Sequence, residues 1–154
     1  MNKNLSDTSR YKGLRIAITG ANGSLGKSLI EVLKNKGAYV VGLTHEKKNN
    51  SNSSESTPDD WIIWSCGKEG LLSSSLSNID ILILNHGFNP KQMIDSSDIN
   101  KAIEINSLSH WRLIEIFENL SLSNNLDKYR PKEVWVNTSE AEIQIAFSPV
   151  YEIT

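Results

Sequence analysis

Residues 14–26 read LRIAITGANGSLG. The first six, LRIAIT, form a mostly apolar run of strand length, the pattern of a buried strand. Three glycines follow at Gly20, Gly23 and Gly26, and the chain then continues as SLGKSLIEVLKNKG. Leu25, Leu29, Val32 and Leu33 recur there at helical spacing, and Gly37 stands where a helix would end. A glycine turn between a strand and a helix lets the backbone approach a ligand closely. It also aims the free N–H groups and the dipole of the helix at one point, an arrangement suited to a pyrophosphate. The plainer alternative is that the glycines only tighten the turn.

Outward from this unit, strand and helix alternate. AYVVGL (38–43) reads as a second strand, WIIW (61–64) as a short third and IDILIL (79–84) as a fourth, apolar enough for burial on both faces. A polar, low-complexity loop, NNSNSSESTPDD (49–60), separates the second from the third. Ser97 is placed to cap a long helix over DINKAIEINSLSHWRLIEIFENL (98–120). Its expected apolar stripe is Ile99, Ala102, Ile103, Leu113, Phe117 and Leu120, with Asn106 and His110 on the same face. EVWVNTS (133–139) reads as a fifth strand, and SPVYEIT (148–154) begins something helical. Such alternation predicts a parallel sheet covered by helices. Residues 1–12 are polar and read as a disordered lead-in, which leaves 13–154 as one domain.

The totals narrow the function classes. The chain has 154 residues, and 38% of them are hydrophobic, enough for one core. A formal net charge of -2 gives no reason to expect nucleic acid as a partner. Cys66 is the single cysteine, which rules out an intrachain disulfide and a thiolate metal cluster. The three histidines have no metal-ligand spacing, so no metal is expected. His86 and His110 read as structural. The polar start has no secretory apolar core and no run reaches membrane-spanning length, so a cytoplasmic address and no membrane segment are expected.

Four landmarks, in order, resemble the short-chain dehydrogenase/reductase family. TGANGSLG (19–26) is similar to its cofactor loop. DILILNHG (80–87) is similar to its DxLVNNAG segment, with Leu84 in place of the first asparagine and His86 in place of the alanine. Asn106 matches the asparagine of the family's catalytic tetrad. VWVNTS resembles the strand that delivers the catalytic serine, here Ser139, and Tyr151 follows at the family's usual distance.

The resemblance implies a Rossmann-like, doubly wound α/β domain with strand order 3-2-1-4-5. It also implies hydride transfer between a nicotinamide cofactor and a small carbonyl or alcohol substrate. Tyr151 would be the acid/base, Ser139 the partner of the substrate oxygen and Asn106 a support for the proton relay. Gly20, Asn22, Gly23, Ser24, Leu25, Gly26, Thr44, His45, Asn85 and Gly87 would contact the cofactor. A phenol is a poor base at neutral pH unless a neighbour lowers its pKa. In this family a lysine four residues on does so, and that position falls one beyond Thr154. The expectation is therefore an N-terminal portion of a reductase, inactive as this chain. A non-catalytic nucleotide-binding module or a decayed enzyme is the alternative. The fifth strand would be left as an apolar edge, and self-association through it is expected.

The stretch GLTHEKK (42–48) bears on cofactor choice. An NAD enzyme of this type carries an acidic residue at the end of the second strand, to bond the ribose hydroxyls. Thr44 stands there instead, followed by His45, Lys47 and Lys48. This favours NADP(H), with NAD as the alternative.

Overall fold

The computed structural model describes residues 10–46, 56–90, 95–123 and 132–138. Five strands, β1 (Arg15–Thr19), β2 (Tyr39–Thr44), β3 (Asp60–Ile63), β4 (Ile81–Leu84) and β5 (Glu133–Val136), form one parallel sheet in the order β3-β2-β1-β4-β5. This is the order that the family resemblance implies. Strand polarity reverses nowhere, so each crossover must pass over a face of the sheet, and both faces are covered.

The two faces have separate cores, and the period-two alternation of the strands divides them. Ile16 and Ile18 of β1, Val40 of β2, and Ile81 and Ile83 of β4 pack with Ile30 and Leu33 of helix α1 (Ser24–Asn35). Their neighbours Ala17, Val41, Leu43, Leu82 and Leu84 point the other way, onto Leu113 and Phe117. Those two belong to helix α4 (Ser109–Ser123).

Helix α1 docks on a face rotated from the expected stripe: Leu33 is buried and Leu29 half-buried against the core, but Leu25 and Val32 are not. Its buried residues are Gly26, Ile30 and Leu33, whereas Leu25 is 46% and Val32 50% exposed. Contact at Gly26 sets this rotation, because a Cβ there would fall on Gly20 O and the Ala21 backbone. The glycine lets the first turn press on the turn before it, and residues 30 and 33 follow onto the same face. The helix ends as expected near Gly37. Gly37 N–H bonds Lys34 O at 2.8 Å and Ala38 N–H bonds Leu33 O at 3.1 Å, which closes the last turn in a Schellman motif.

After β3, a 3₁₀ turn (Glu69–Leu72) leads into α2 (Ser73–Leu76). The long helix after β4 departs from its expected form. Asp95, not Ser97, is the N-cap, its carboxylate accepting Asp98 N–H at 2.9 Å. Helix α3 (Ser96–Ile103) passes through a π-helical turn (Glu104–Leu108) before α4 begins. The wider turn breaks the 3.6-residue period, so the stripe does not run straight. Ala102, Ser109, Leu113 and Phe117 are buried, while Ile99 and Ile103 are 36% and 38% exposed.

The lead-in ends earlier than its polarity suggests. Tyr11 packs edge-on against Trp135 at 6.0 Å between ring centroids, and Arg10 pairs with Glu133 at 3.2 Å. Among the described residues β5 is an outer strand, with Val134 and Trp135 half-buried and Val136 exposed. No helix among the described residues is long and apolar enough to cross a membrane.

Candidate functional site

A cavity of about 660 Å³ opens at the C-terminal ends of β1, β2 and β4. Strand order reverses here: the connection from β1 leads to β2 on one side of it, and β4 lies on its other side. In open parallel sheets this switch point leaves a crevice between diverging loops.

Its floor is the glycine turn. Gly20 has φ of 64°, and a Cβ on it would come within 2.8 Å of Asn85 O, so both its conformation and its neighbour demand glycine. Gly23 is the N-cap of α1; it offers no side chain to bond the helix N–H groups, and no acidic residue stands in the first turn. Ser24 and Leu25 line the cavity, and as first-turn residues their N–H groups have no acceptor within the helix. A helix end left open and unopposed in this way fits a phosphate. Among the described residues that line the cavity there is no aspartate or glutamate, and Lys101 supplies a positive charge.

At the β2 end, Thr44 is buried and its hydroxyl is drawn into the turn. It accepts Asn22 Nδ2–H at 2.8 Å and donates to Glu46 O at 2.9 Å. Asn22 is thereby fixed across the mouth of the glycine turn. His45 is exposed and lines the cavity beside it.

At the β4 end lie Asn85, His86 and Gly87. Asn85 Oδ1 accepts from Asn137 Nδ2 at 3.1 Å, which ties the ends of β4 and β5 together. Asn106, in the π turn, holds the backbone of Phe88: Oδ1 accepts Phe88 N–H at 2.7 Å and Nδ2 donates to Phe88 O at 2.9 Å. These bonds give its amide a local structural duty. His86 sits between Thr19 and Ser109, its Nδ1 2.8 Å from Thr19 Oγ1 and its Nε2 3.1 Å from Ser109 Oγ. Burial, with His110 close by, pushes the His86 pKa down to about 3. Burial also lowers that of His110, whose Nε2 bonds His86 O at 3.0 Å. His86 is part of the cavity wall, and His110 packs edge-on against it at 4.2 Å between ring centroids.

Gly20, Asn22, Gly23, Ser24, Leu25, Thr44, His45, Asn85 and Gly87 all line the cavity, and Gly26 lies buried beneath it. Ser139 and Tyr151 lie outside the described residues, as do Lys47 and Lys48. Sequence reasoning passed over Trp64, Phe88, Lys101 and Asn137, which also line it. Asn137 sat in plain view in VWVNTS; the others carry no motif and reach the site only through the fold. Among the described residues no three histidine, cysteine, aspartate or glutamate side chains cluster as a metal site would require.

A parallel sheet with a glycine turn opening a helix at the switch-point cavity defines a dinucleotide-binding α/β domain. Comparison with known proteins makes the class narrower. The profile of the NAD dependent epimerase/dehydratase family matches residues 16–140, and the chain belongs to that family. A monoglucosyldiacylglycerol epimerase from Synechocystis sp. is 36% identical over 156 residues, covering 100% of this chain and 38% of the relative. A CDP-abequose synthase from Salmonella typhimurium is 31% identical over 111 residues, covering 68% of this chain and 36% of the relative. The chain thus spans little more than a third of the length of either curated relative. Among solved structures, a short-chain dehydrogenase from Leptospira borgpetersenii with bound NAD+ superposes with a TM-score of 0.78 at 21% identity, over 99% of this chain and 63% of that one. The fold is therefore that of the short-chain dehydrogenases, as the four sequence landmarks imply.

Proposed function

We propose that this chain is the cofactor-binding portion of an NADP(H)-dependent enzyme that transfers hydride at a secondary alcohol or ketone carbon. The observation that carries this reading is the switch-point cavity, where Gly20, Gly23 and the open N-terminus of α1 meet and no described carboxylate intrudes. When bound, the nicotinamide supplies the hydride acceptor or donor. The chain's own part is to hold the pyrophosphate on the N–H groups of Ser24 and Leu25. Asn22 and Thr44 fix the turn beside them. Asn85 and Gly87, with Asn106 bracing Phe88, form the wall at the opposite end.

The name of the Synechocystis relative points to a glucosyl group on a diacylglycerol. Inverting a sugar hydroxyl with a nicotinamide cofactor needs removal of hydride from the carbon and its return to the other face. A glycolipid or related sugar alcohol is accordingly the substrate class proposed here. By the family resemblance Tyr151 would exchange the hydroxyl proton, and Ser139 would hold the same oxygen.

The 2′-phosphate preference rests on Thr44 and His45, which stand where an NAD enzyme keeps a carboxylate. Calorimetric titration with NADP+, NADPH, NAD+ and NADH tests the reading. Binding of at least one pair is expected, with the phosphorylated pair tighter. Failure of all four to bind would overturn the dinucleotide reading, and equal or tighter binding of NAD(H) would overturn the preference.

A further inference from the structure

Glu69 is a carboxylate that nothing in the proposed chemistry uses, yet it is only 1% exposed. Burial of a charge is costly unless bonds replace the lost water. Gly67 N–H reaches Oε1 at 2.9 Å and Ser109 Oγ reaches the same oxygen at 2.7 Å. Arg112 lies 3.5 Å from Oε2, but its guanidinium is already gripped by both oxygens of Glu104. Neutralising Arg112 is therefore not what Glu69 is for. Ser109 is fully buried too, and beyond it comes His86, in the cavity wall.

We propose that Glu69 and Ser109 are positioning residues for the dinucleotide site: the series Glu69–Ser109–His86–Thr19 holds His86 as its Nε2–H tautomer and so locks residues 85–87 against the Gly20 turn. This rests on the dinucleotide reading above. The direction of each hydrogen follows from counting donors. Ser109 has one hydroxyl proton, and a carboxylate 2.7 Å away can only accept it. Ser109 Oγ then accepts from His86 Nε2, which must carry hydrogen. Burial raises the pKa of the nearby Cys66 thiol. His86 Nδ1 is left bare and takes the Thr19 hydroxyl proton at 2.8 Å, a shorter path than the 3.3 Å to Ile83 O.

Thr19 Oγ1, with its proton so directed, accepts the N–H groups of Asn85 at 2.8 Å and His86 at 3.2 Å. Thr19 immediately precedes Gly20, and Asn85 O is the atom that a Cβ on Gly20 would strike. The series therefore ends at a close backbone contact in the floor of the cavity. Moving the proton to Nδ1 would set two acceptors, Nε2 and Ser109 Oγ, against each other or strand Glu69, and would bring a third donor to Thr19 Oγ1, so a single arrangement satisfies every member.

The test reads the His86 tautomer by long-range ¹H–¹⁵N NMR without ligand, and dinucleotide affinity by calorimetry, in the unaltered chain, Ser109→Ala and Glu69→Gln. The unaltered chain should show the Nε2–H tautomer at neutral pH. Ser109→Ala should give a mixed tautomer signal and weaken dinucleotide binding about tenfold, the effect of one lost charge-assisted hydrogen bond. Glu69→Gln still offers Ser109 an oxygen, and should keep the tautomer with affinity within about threefold. If Ser109→Ala does not fold, Ser109→Cys, a far weaker donor, is read in the same way. An Nδ1–H tautomer in the unaltered chain, or unchanged tautomer and affinity in the Ser109 variant, overturns the proposal. No dinucleotide binding by the unaltered chain overturns the functional reading instead, and the tautomer still decides the series.

Discussion

Asn106 and Phe88 are joined like two paired strands, the amide of one bonding both backbone groups of the other at 2.7 and 2.9 Å. This places the amide in a π turn of the helix at the end of the cavity wall. It also explains how the segment after β4 is held without regular secondary structure of its own. Asn106→Asp keeps the acceptor but turns the Phe88 O contact from donation to repulsion. The expected loss is about 1–3 kcal/mol of stability. Urea denaturation measures it, and dinucleotide affinity should fall in parallel as the wall loosens. A variant as stable as the parent, with unchanged affinity, would show that Phe88 does not need this grip.

Gly26→Ala tests the close approach of α1 to the glycine turn. The added methyl meets backbone rather than a movable side chain, at Gly20 O and Ala21 Cα. Overpacking of this kind costs about 1–3 kcal/mol. Because relief requires α1 to back away, its N-terminal N–H groups retreat with it. Dinucleotide affinity should drop by more than about tenfold, a larger loss than the same free energy spent elsewhere in the core would cause. Equal loss of stability with full affinity would mean that α1 does not hold the ligand.

Much of the fold was legible because β1 and β4 are mostly apolar and divide their residues between two cores by simple alternation. The glycine turn was legible for a similar reason, since backbone geometry and residue type constrain each other tightly there. Elsewhere local pattern and tertiary contact part company. Leu25 and Val32 look like the core face of α1, but a contact made by a glycine turns them outward. Nothing in GKEGLL marks Glu69 for burial, and only the arrival of Ser109 from α4 makes it intelligible. The π turn leaves no compositional mark and bends the stripe containing Ile99 and Ile103 toward solvent. Ser139 and Tyr151 rest on family resemblance alone.

His86 makes stability depend on pH in a definite direction. Its pKa falls from 6.5 to about 3 in the folded chain, because burial and the neighbouring His110 disfavour its charge. The unfolded chain therefore takes up the proton first. The contribution is fully present above about pH 6.5 and is lost as pH falls toward 3. Between pH 7 and pH 5 the loss is on the order of 2 kcal/mol. His110, lowered in the same direction, adds to it. Glu104, whose carboxyl Arg112 holds below its ordinary range, begins to contribute only at lower pH. Urea midpoints at the two pH values should show the difference, and His86→Gln should shrink it. A midpoint that does not move would argue against a buried neutral imidazole.

His45→Asp asks which dinucleotide the β2 end accepts. His45 is exposed at the rim of the cavity, directly after Thr44, so the substitution adds a carboxylate without disturbing the core. At a separation of about 4 Å and an effective dielectric near 20, two like unit charges repel by roughly 4 kcal/mol, less where solvent screens them. Even a quarter of that weakens a 2′-phosphate ligand several-fold. NADP+ affinity should therefore fall about tenfold, while NAD+, whose ribose offers hydroxyls that a carboxylate can bond, should hold or improve. Paired titrations of parent and variant give both numbers, and the ratio between the two cofactors cancels any general loosening of the site. If that ratio does not change, the 2′ position is bound away from His45, and the preference drawn from the end of β2 falls.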